Sequence, residues 1–439
     1  MKYLRFTALF LSAAMLLSAC GTSEPQETQS TTGSQQVSAQ ESETADETVE
    51  TTPPAEETQP EEPDYDSLSE DEYRELLIER SLISAGDTSR VEAALTRAKN
   101  GEEITVAYIG GSITEGLTAG AEKCWAKLSY DWLCGQIPEG KINYVNAGMS
   151  GTPSTLGVIR VERDVIEPYG DPDIVFIEFA VNDGGSSLDK DAYESLVRRM
   201  LSLDKNTAVV LLFTVLKNGY TCETTHMKAI GEHYDLPMIS VNTALTPEFN
   251  AGRMAWEKYS DDESHPNEWG HELVKDFVAN FYTKVLDGMD GEKPISDIST
   301  IEPLYGADYT NVHLLDRTNL TPVSLGEYTD DKDTLAQFPN GWTRKGGDNE
   351  GIVFEITCKD LFVIFHCAKN KKFAKADVYV DGEYQTSVES SKETGWGNPE
   401  AQLLFNKDKA EKHTVEFKIA EDEEDNYCYF GILGFGYTD

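Results

Sequence analysis

Five residues of this chain have the types, and the placement beside turn signals, that nucleophilic catalysis requires. Ser112 stands in "GGSIT", residues 110–114, where an apolar run stops at two glycines. Gly151 lies in "NAGMSGTPS", residues 146–154, a glycine-rich loop after a second such run. Asn182 comes directly after the apolar stretch "DIVFIEFAV". Asp262 and His265 are three positions apart in "DDESHPNEWGH". A serine hydroxyl is a poor nucleophile until a base takes its proton, and the base is most often a histidine held in one tautomer by a carboxylate. The oxyanion that then develops needs donors already in place, which a glycine N–H and an asparagine amide can supply.

Two other uses of "GGSIT" fail on residue type. A phosphate-cradling loop would need a lysine beside the serine, or the G-x-G-x-x-G pattern, and neither is present. The G-x-S-x-G elbow of another hydrolase class would need glycine at 114, where threonine stands. Each residue also has an ordinary use: Ser112 or Asp262 as a helix cap, Gly151 as a turn glycine, Asn182 as a strand-end side chain bonded to backbone, His265 as a structural histidine.

The elements that would carry these residues alternate. Capped helices are expected in "SEDEYRELLIERSLI" and "DTSRVEAALTRAKNG", and then strand-like and helix-like runs follow in turn to "GHELVKDFVANFYTKVL". The strand runs are continuously apolar, as expected when helices cover both faces of a sheet. Strand–helix alternation over 68–288 predicts a parallel, doubly wound α/β domain. In such a sheet, ligands bind beyond the carboxyl ends of the strands, where the stretches above fall or can be folded. After about residue 290 the pattern becomes short strands with turn punctuation, including Asp381-Gly382 as a hairpin signal, and an all-β sandwich or jelly roll is expected.

The ordered series GGSIT, NAGMSG, FAVND, DESHPN resembles the signature blocks of the SGNH hydrolases, also called GDSL-type esterases. The resemblance covers about residues 100–285 and implies a flavodoxin-like α/β sheet. It implies Ser112 as nucleophile, His265 as general base and Asp262 as the group orienting it. It further implies an oxyanion hole made of the Ser112 and Gly151 backbone N–H groups and the Asn182 amide. The family's first block usually reads G-D-S; Gly111 replaces the aspartate here, a change expected to touch no catalytic role.

The rest of the chain sets the context. The net charge of −41 over 439 residues argues against nucleic acid or an anionic membrane surface as partner. Lys2 and Arg5 precede an apolar run from Phe6 to Leu17, which fits a secretory leader. "LLSAC" at its end resembles a bacterial lipobox, which implies lipidation of Cys20 and a membrane anchor outside the cell. From Gly21 to about Tyr65 the chain is rich in Ser, Thr, Gln, Glu and Pro, with no Lys or Arg between Arg5 and Arg74, and reads as a disordered stalk. The expected division is therefore 1–20 leader, 21–65 stalk, 66–288 hydrolase domain and 289–439 β domain.

The other six cysteines show no C-x-x-C spacing; Cys358 and Cys367 flank "KDLFVIFH" and could face each other across a hairpin. A zinc site from Asp262, His265 and His271 lacks an H-E-x-x-H motif and cysteine support, so neither metal nor cofactor is expected. His226 and His233 are expected on a helix surface. Of the aromatics, Trp269 is the one expected to line the cleft. Trp342, Trp396, Tyr427 and Tyr429 are expected in the β core rather than as a sugar platform. An anchored, acidic esterase with an added β domain suits an extracellular polymer, and O-acetyl groups of a polysaccharide such as a hemicellulose are the leading substrate. A lysophospholipase or general carboxylesterase, an acetyltransferase acting on a glycan, and an inert glycan-binding lipoprotein are the rivals.

Overall fold

The computed structural model describes residues 63–289, 291, 294–330, 335–344, 346, 348–370, 372–421 and 429–439. The expectations for the leader, for Cys20, for nearly all of the stalk, and for Tyr427 and Cys428 lie outside these residues.

Residues 64–439 pack as one compact unit. Its first part contains β1 (Leu82–Ser84), β2 (Glu103–Gly110), β3 (Lys141–Gly148), β4 (Ile174–Glu178), β5 (Ala208–Phe213) and β6 (Met238–Ser240). The helices are α1 (Glu70–Ser81), α2 (Ser89–Lys99), α3 (Ser112–Glu115), α4 (Trp125–Gln136), α5 (Ser154–Val161), α6 (Ser187–Leu201), α7 (Lys228–His233), α8 (Val241–Asn250), α9 (Trp256–Tyr259) and α10 (Glu268–Gly288). The sheet order is β1-β6-β5-β4-β2-β3, and all neighbours run parallel except the β1–β6 pair. Strand order reverses at β2, which lies between β3 and β4, so the crevice of the sheet opens at their carboxyl ends. This is the doubly wound α/β sheet that the alternation implies.

Two elements depart from expectation. The first helix stops at Ser81, and the next three residues form β1 by pairing with β6. Residues 241–250 form α8 although Thr, Asn and Pro are poor helix formers. Packing decides it: Ala244 and Leu245 are buried, and Arg80 donates to the Ala244 carbonyl (2.6 Å) and to Glu248 (2.5 Å).

The second part is one antiparallel sheet: β7 (His313–Leu315), β8 (Tyr328–Thr329), β9 (Trp342–Arg344), β10 (Ile352–Ala368), β11 (Lys375–Val380), β12 (Glu383–Glu389), β13 (Trp396–Ile419) and β14 (Phe430–Thr438). Among the described residues its order is β12-β11-β13-β10-β14-β9-β8, with β7 also on β14. Asp381 and Gly382 both have positive φ, 54° and 85°, and close the β11–β12 hairpin as the Asp-Gly signal requires. Cys358 and Cys367 do not face each other across a hairpin: both lie in the single strand β10, as free thiols.

The apolar run in β10 has a specific cause. Leu361, Val363 and Phe365 point into the β core, whereas Phe362 and Ile364, on the opposite face, join Leu156, Ile159 and Phe179 in the α/β core. Both faces of the strand are buried, so alternation is lost. The two parts therefore share one hydrophobic layer, with side chains such as Phe362, Ile364 and Leu433 contributing roughly 1.5–3 kcal/mol apiece. A chain ended after α10 (residues 64–289) is expected to aggregate, or to lose its cooperative melting transition. A soluble 64–289 protein melting within about 5 °C of the whole chain would show the cores to be separable.

Candidate active site

Ser112, Gly151 and Asn182 follow β2, β3 and β4, three neighbouring strands, so sheet register alone brings them to one edge. Ser112 opens α3, and the other residues sit in the loops that follow β3 and β4 or precede α10.

Ser112 Oγ lies 2.9 Å from His265 Nε2, and His265 Nδ1 lies 2.8 Å from Asp262 Oδ2. An ionised carboxylate can only accept, so Nδ1 carries the ring proton and Nε2 is left to accept from the serine hydroxyl. Asp262 Oδ1 also accepts the backbone N–H groups of Ser264 and His265, each at 2.6 Å. Partial burial raises the Asp262 carboxyl, but the hydrogen bonds from His265 and Ser264 outweigh it and hold the group below its ordinary value. The aspartate therefore stays charged beside the imidazole.

Two residues not singled out from sequence fix this loop. The buried Ser260 hydroxyl reaches the Asp262 carbonyl (2.9 Å) and the His265 carbonyl (2.6 Å), and the Trp256 indole N–H donates to the Asp262 carbonyl (2.5 Å). The Thr118 hydroxyl, from the loop after α3, donates to the Pro266 carbonyl at 2.7 Å and ties the nucleophile's side to the base's side. Nothing local in "YSDD" or "MAWEKY" distinguishes these from surface polar residues.

Gly111, whose replacement of the aspartate is expected to touch no catalytic role, lies directly against the Asn182 side chain. A Cβ there would fall 2.2 Å from Asn182 Oδ1 and 2.9 Å from Asn182 Nδ2. The asparagine amide occupies the space that any side chain at 111 would fill. Gly151 has φ +69°, a left-handed conformation that favours glycine, and a Cβ on it would meet the Trp396 ring at 2.8 Å.

Buried acids support these loops. Glu178, at the end of β4, accepts the hydroxyls of Thr114 (2.9 Å) and Thr214 (2.7 Å); burial raises its carboxyl. Asp183 accepts the Ser154 N–H (2.7 Å) and hydroxyl (2.6 Å). The ring of His226 comes within 4.0 Å of that carboxyl. Burial pushes both toward their neutral forms, Asp183 up to about 8 and His226 down to about 4. His226 was expected at the surface; it is fully buried because α6 covers it, Tyr193 packing edge-on at 5.7 Å. His233 is exposed, as expected.

The remaining candidates separate cleanly. His271 is buried and accepts the Trp125 N–H at 3.1 Å. Among the described residues, no three His, Cys, Asp or Glu side chains are gathered as metal ligands. Trp269 does not serve the cleft as expected: Arg74 sits 5.5 Å and Lys258 4.8 Å from its ring centre. Trp342 is buried in the β core, and Tyr429 bonds His366. Trp396 departs from the core expectation. Its side chain is 59% exposed, and with Gly151, Pro153, Thr394, Asn398 and Glu400 it lines a recess of about 260 Å³. An aromatic face from the β part thus borders the loop that carries Gly151.

Residues 108–273 match the GDSL-like Lipase/Acylhydrolase family. Among solved structures, the chain is similar to a two-domain esterase active on acetylated mannans, at 27% identity and a TM-score of 0.74 over 82% of this chain and 99% of that one. A structure of a two-domain esterase active on acetylated mannans, co-crystallised with mannopentaose, aligns at 27% identity and a TM-score of 0.73 over 82% of this chain and 98% of the other. No curated protein matches the sequence.

Proposed function

We propose that this chain, whose residues 108–273 match the GDSL-like Lipase/Acylhydrolase family, is a serine ester hydrolase that removes O-acetyl groups from a mannan-type polysaccharide. The observation that carries this reading is Trp396, an exposed ring supplied by the β part at the edge of the Gly151 loop. Pyranose rings stack on such faces through their C–H edges, and a lone acyl chain has no comparable need for one. The similarity to an esterase active on acetylated mannans along both parts of the chain supports the same substrate class.

In this reading Ser112 Oγ attacks the acetyl carbonyl carbon as His265 Nε2 takes the hydroxyl proton. Asp262 stabilises the imidazolium without being protonated itself. The negative carbonyl oxygen is received by the N–H groups of Ser112 and Gly151 and by the Asn182 amide. The bond to the sugar oxygen then breaks, and that oxygen leaves with the proton from His265, so the sugar hydroxyl is restored and an acetyl group remains on Ser112. Water, deprotonated by His265, repeats the attack and releases acetate. The N-terminal pattern supports the further reading that the enzyme is exported and anchored through lipid on Cys20, outside the described residues.

The test is acetate release from acetylated mannan and acetylated xylan, beside aryl acetate and aryl butyrate. Release from mannan with a preference for the short acyl ester is expected. A preference for butyrate with no acetate from either polymer would move the enzyme to the lipid-esterase class. Trp396→Ala is expected to lower kcat/KM on the polymer about 10-fold, the equivalent of about 1.4 kcal/mol, and to leave aryl acetate within about twofold. Equal losses on both substrates would remove Trp396 from the substrate's path.

A further inference from the structure

The loop that carries Gly151 is fastened on both sides by the carboxyl groups of acidic residues. On one side, the Ser150 N–H donates to Glu115 Oε2 at 2.8 Å and its hydroxyl donates to the same oxygen. Glu115 ends the helix that begins at Ser112. On the other side, Ser154 donates both its N–H and its hydroxyl to Asp183, the residue after Asn182. Each carboxyl group joins the Gly151 loop to one of the other two segments that bear an oxyanion donor.

We propose that Asp183 is a positioning residue of the oxyanion hole, setting the separation between the Gly151 N–H and the Asn182 amide, with Glu115 as its weaker, solvent-facing counterpart. Asp183 is suited to this because its own segment is rigid. The N–H groups of Asn182 and Asp183 donate to the Phe179 carbonyl at 2.9 and 3.1 Å. The Tyr220 hydroxyl donates to the Asp183 carbonyl at 2.5 Å, and the Cys222 N–H donates to the Ala180 carbonyl at 2.7 Å. The carboxyl itself is buried, so water does not compete for the Ser154 hydrogen bonds. Glu115 is bonded where solvent can substitute for it.

The consequence is kinetic. The oxyanion exists only during the reaction, so donors moved out of place slow turnover without weakening substrate binding. This inference rests on the reading of Ser112 as nucleophile. With aryl acetate, Asp183→Ala is expected to lower kcat about 100-fold, the scale of a misplacement near 1 Å, with KM within about threefold. An alkylboronic acid, whose boron accepts the Ser112 oxygen to give a tetrahedral anion, is expected to bind weaker by a similar factor. Asp183→Asn is expected to recover most of the loss, since its amide can accept from the Ser154 N–H and donate to the Ser154 oxygen. Glu115→Ala is expected to cost about 10-fold at most in kcat.

A folded Asp183→Ala protein with kcat within about threefold of the wild type, or with its loss confined to KM, overturns the proposal. So does an Asp183→Asn protein as slow as Asp183→Ala. Should Asp183→Ala fail to fold, Ser154→Ala decides, because it removes only the hydroxyl bond: a several-fold fall in kcat supports the tether and an unchanged kcat overturns it. Ser112→Ala, measured alongside, separates the two failures. If it stays active, the serine reading falls and the tether with it; if it is dead while Asp183→Ala is normal, only the tether falls.

Discussion

Ser112→Ala is expected to lower kcat on aryl acetate by about 10⁴-fold or more while the protein keeps its fold. The size follows from what the hydroxyl does. It is the only group in the Ser112–His265–Asp262 line placed to bond the acetyl carbon, and without it no acetyl-enzyme can form. What remains is the polarising effect of the oxyanion donors and substrate binding on attack by water. The structural cost is small: alanine fits where serine fits, and the bond lost is the single one to His265 Nε2, whose ring is partly open to water. Stability should change by no more than about 1 kcal/mol. Steady-state rates, melting curves and mass spectrometry of the protein quenched during turnover check this. Wild type should carry one acetyl group on the peptide containing Ser112 and the variant none. Acetylation elsewhere, or a loss smaller than about tenfold, would falsify the nucleophile assignment.

Gly111→Asp is the second large effect. It restores the residue usual in the first block of the family the chain resembles, yet it is expected to lower kcat about 10²- to 10³-fold. The cause is steric. Any Cβ at 111 would sit 2.2 Å from Asn182 Oδ1, and the asparagine side chain is the part able to give way. Moving that amide removes one preorganised donor from the oxyanion, and a single such donor has about this effect on rate. Gly111→Ala should lose nearly as much, because the clash needs only the Cβ. The route can be isolated by a double-mutant cycle. Gly111→Ala placed in an Asn182→Ala background should cost little more than Asn182→Ala alone. If the two losses multiply in full, the effect does not run through Asn182.

Ser112, Gly151, Asn182, Asp262 and His265 are legible as candidates because each stands at an element boundary, and boundaries are marked by local chemistry: an apolar run ending in glycine, or a capped helix beginning after a polar loop. The Asp381-Gly382 hairpin was legible for the same reason, since a turn with two positive φ values restricts its own residues. His226 was misplaced because a histidine in a helical stretch gives no sign of which neighbour will cover it. Trp269 stands close to His265 in sequence, but its ring is occupied by Arg74 and Lys258, because a short sequence distance does not fix which face of a helix a side chain turns to.

The doubly wound sheet, the order of the chemistry-bearing turns along its edge and the change to β structure near residue 290 can all be read from local patterns in the chain. These depend on periodicity and turn residues, which act over a few positions. Folding, by contrast, sets that β10 is buried on both faces, that Asn182 fills the space above Gly111, that Asp183 holds Ser154, and that Trp396 borders Gly151. Each is a contact between segments far apart in the chain. Close packing makes such contacts depend on the shape of both partners at once, and neither partner's local sequence carries the other's shape.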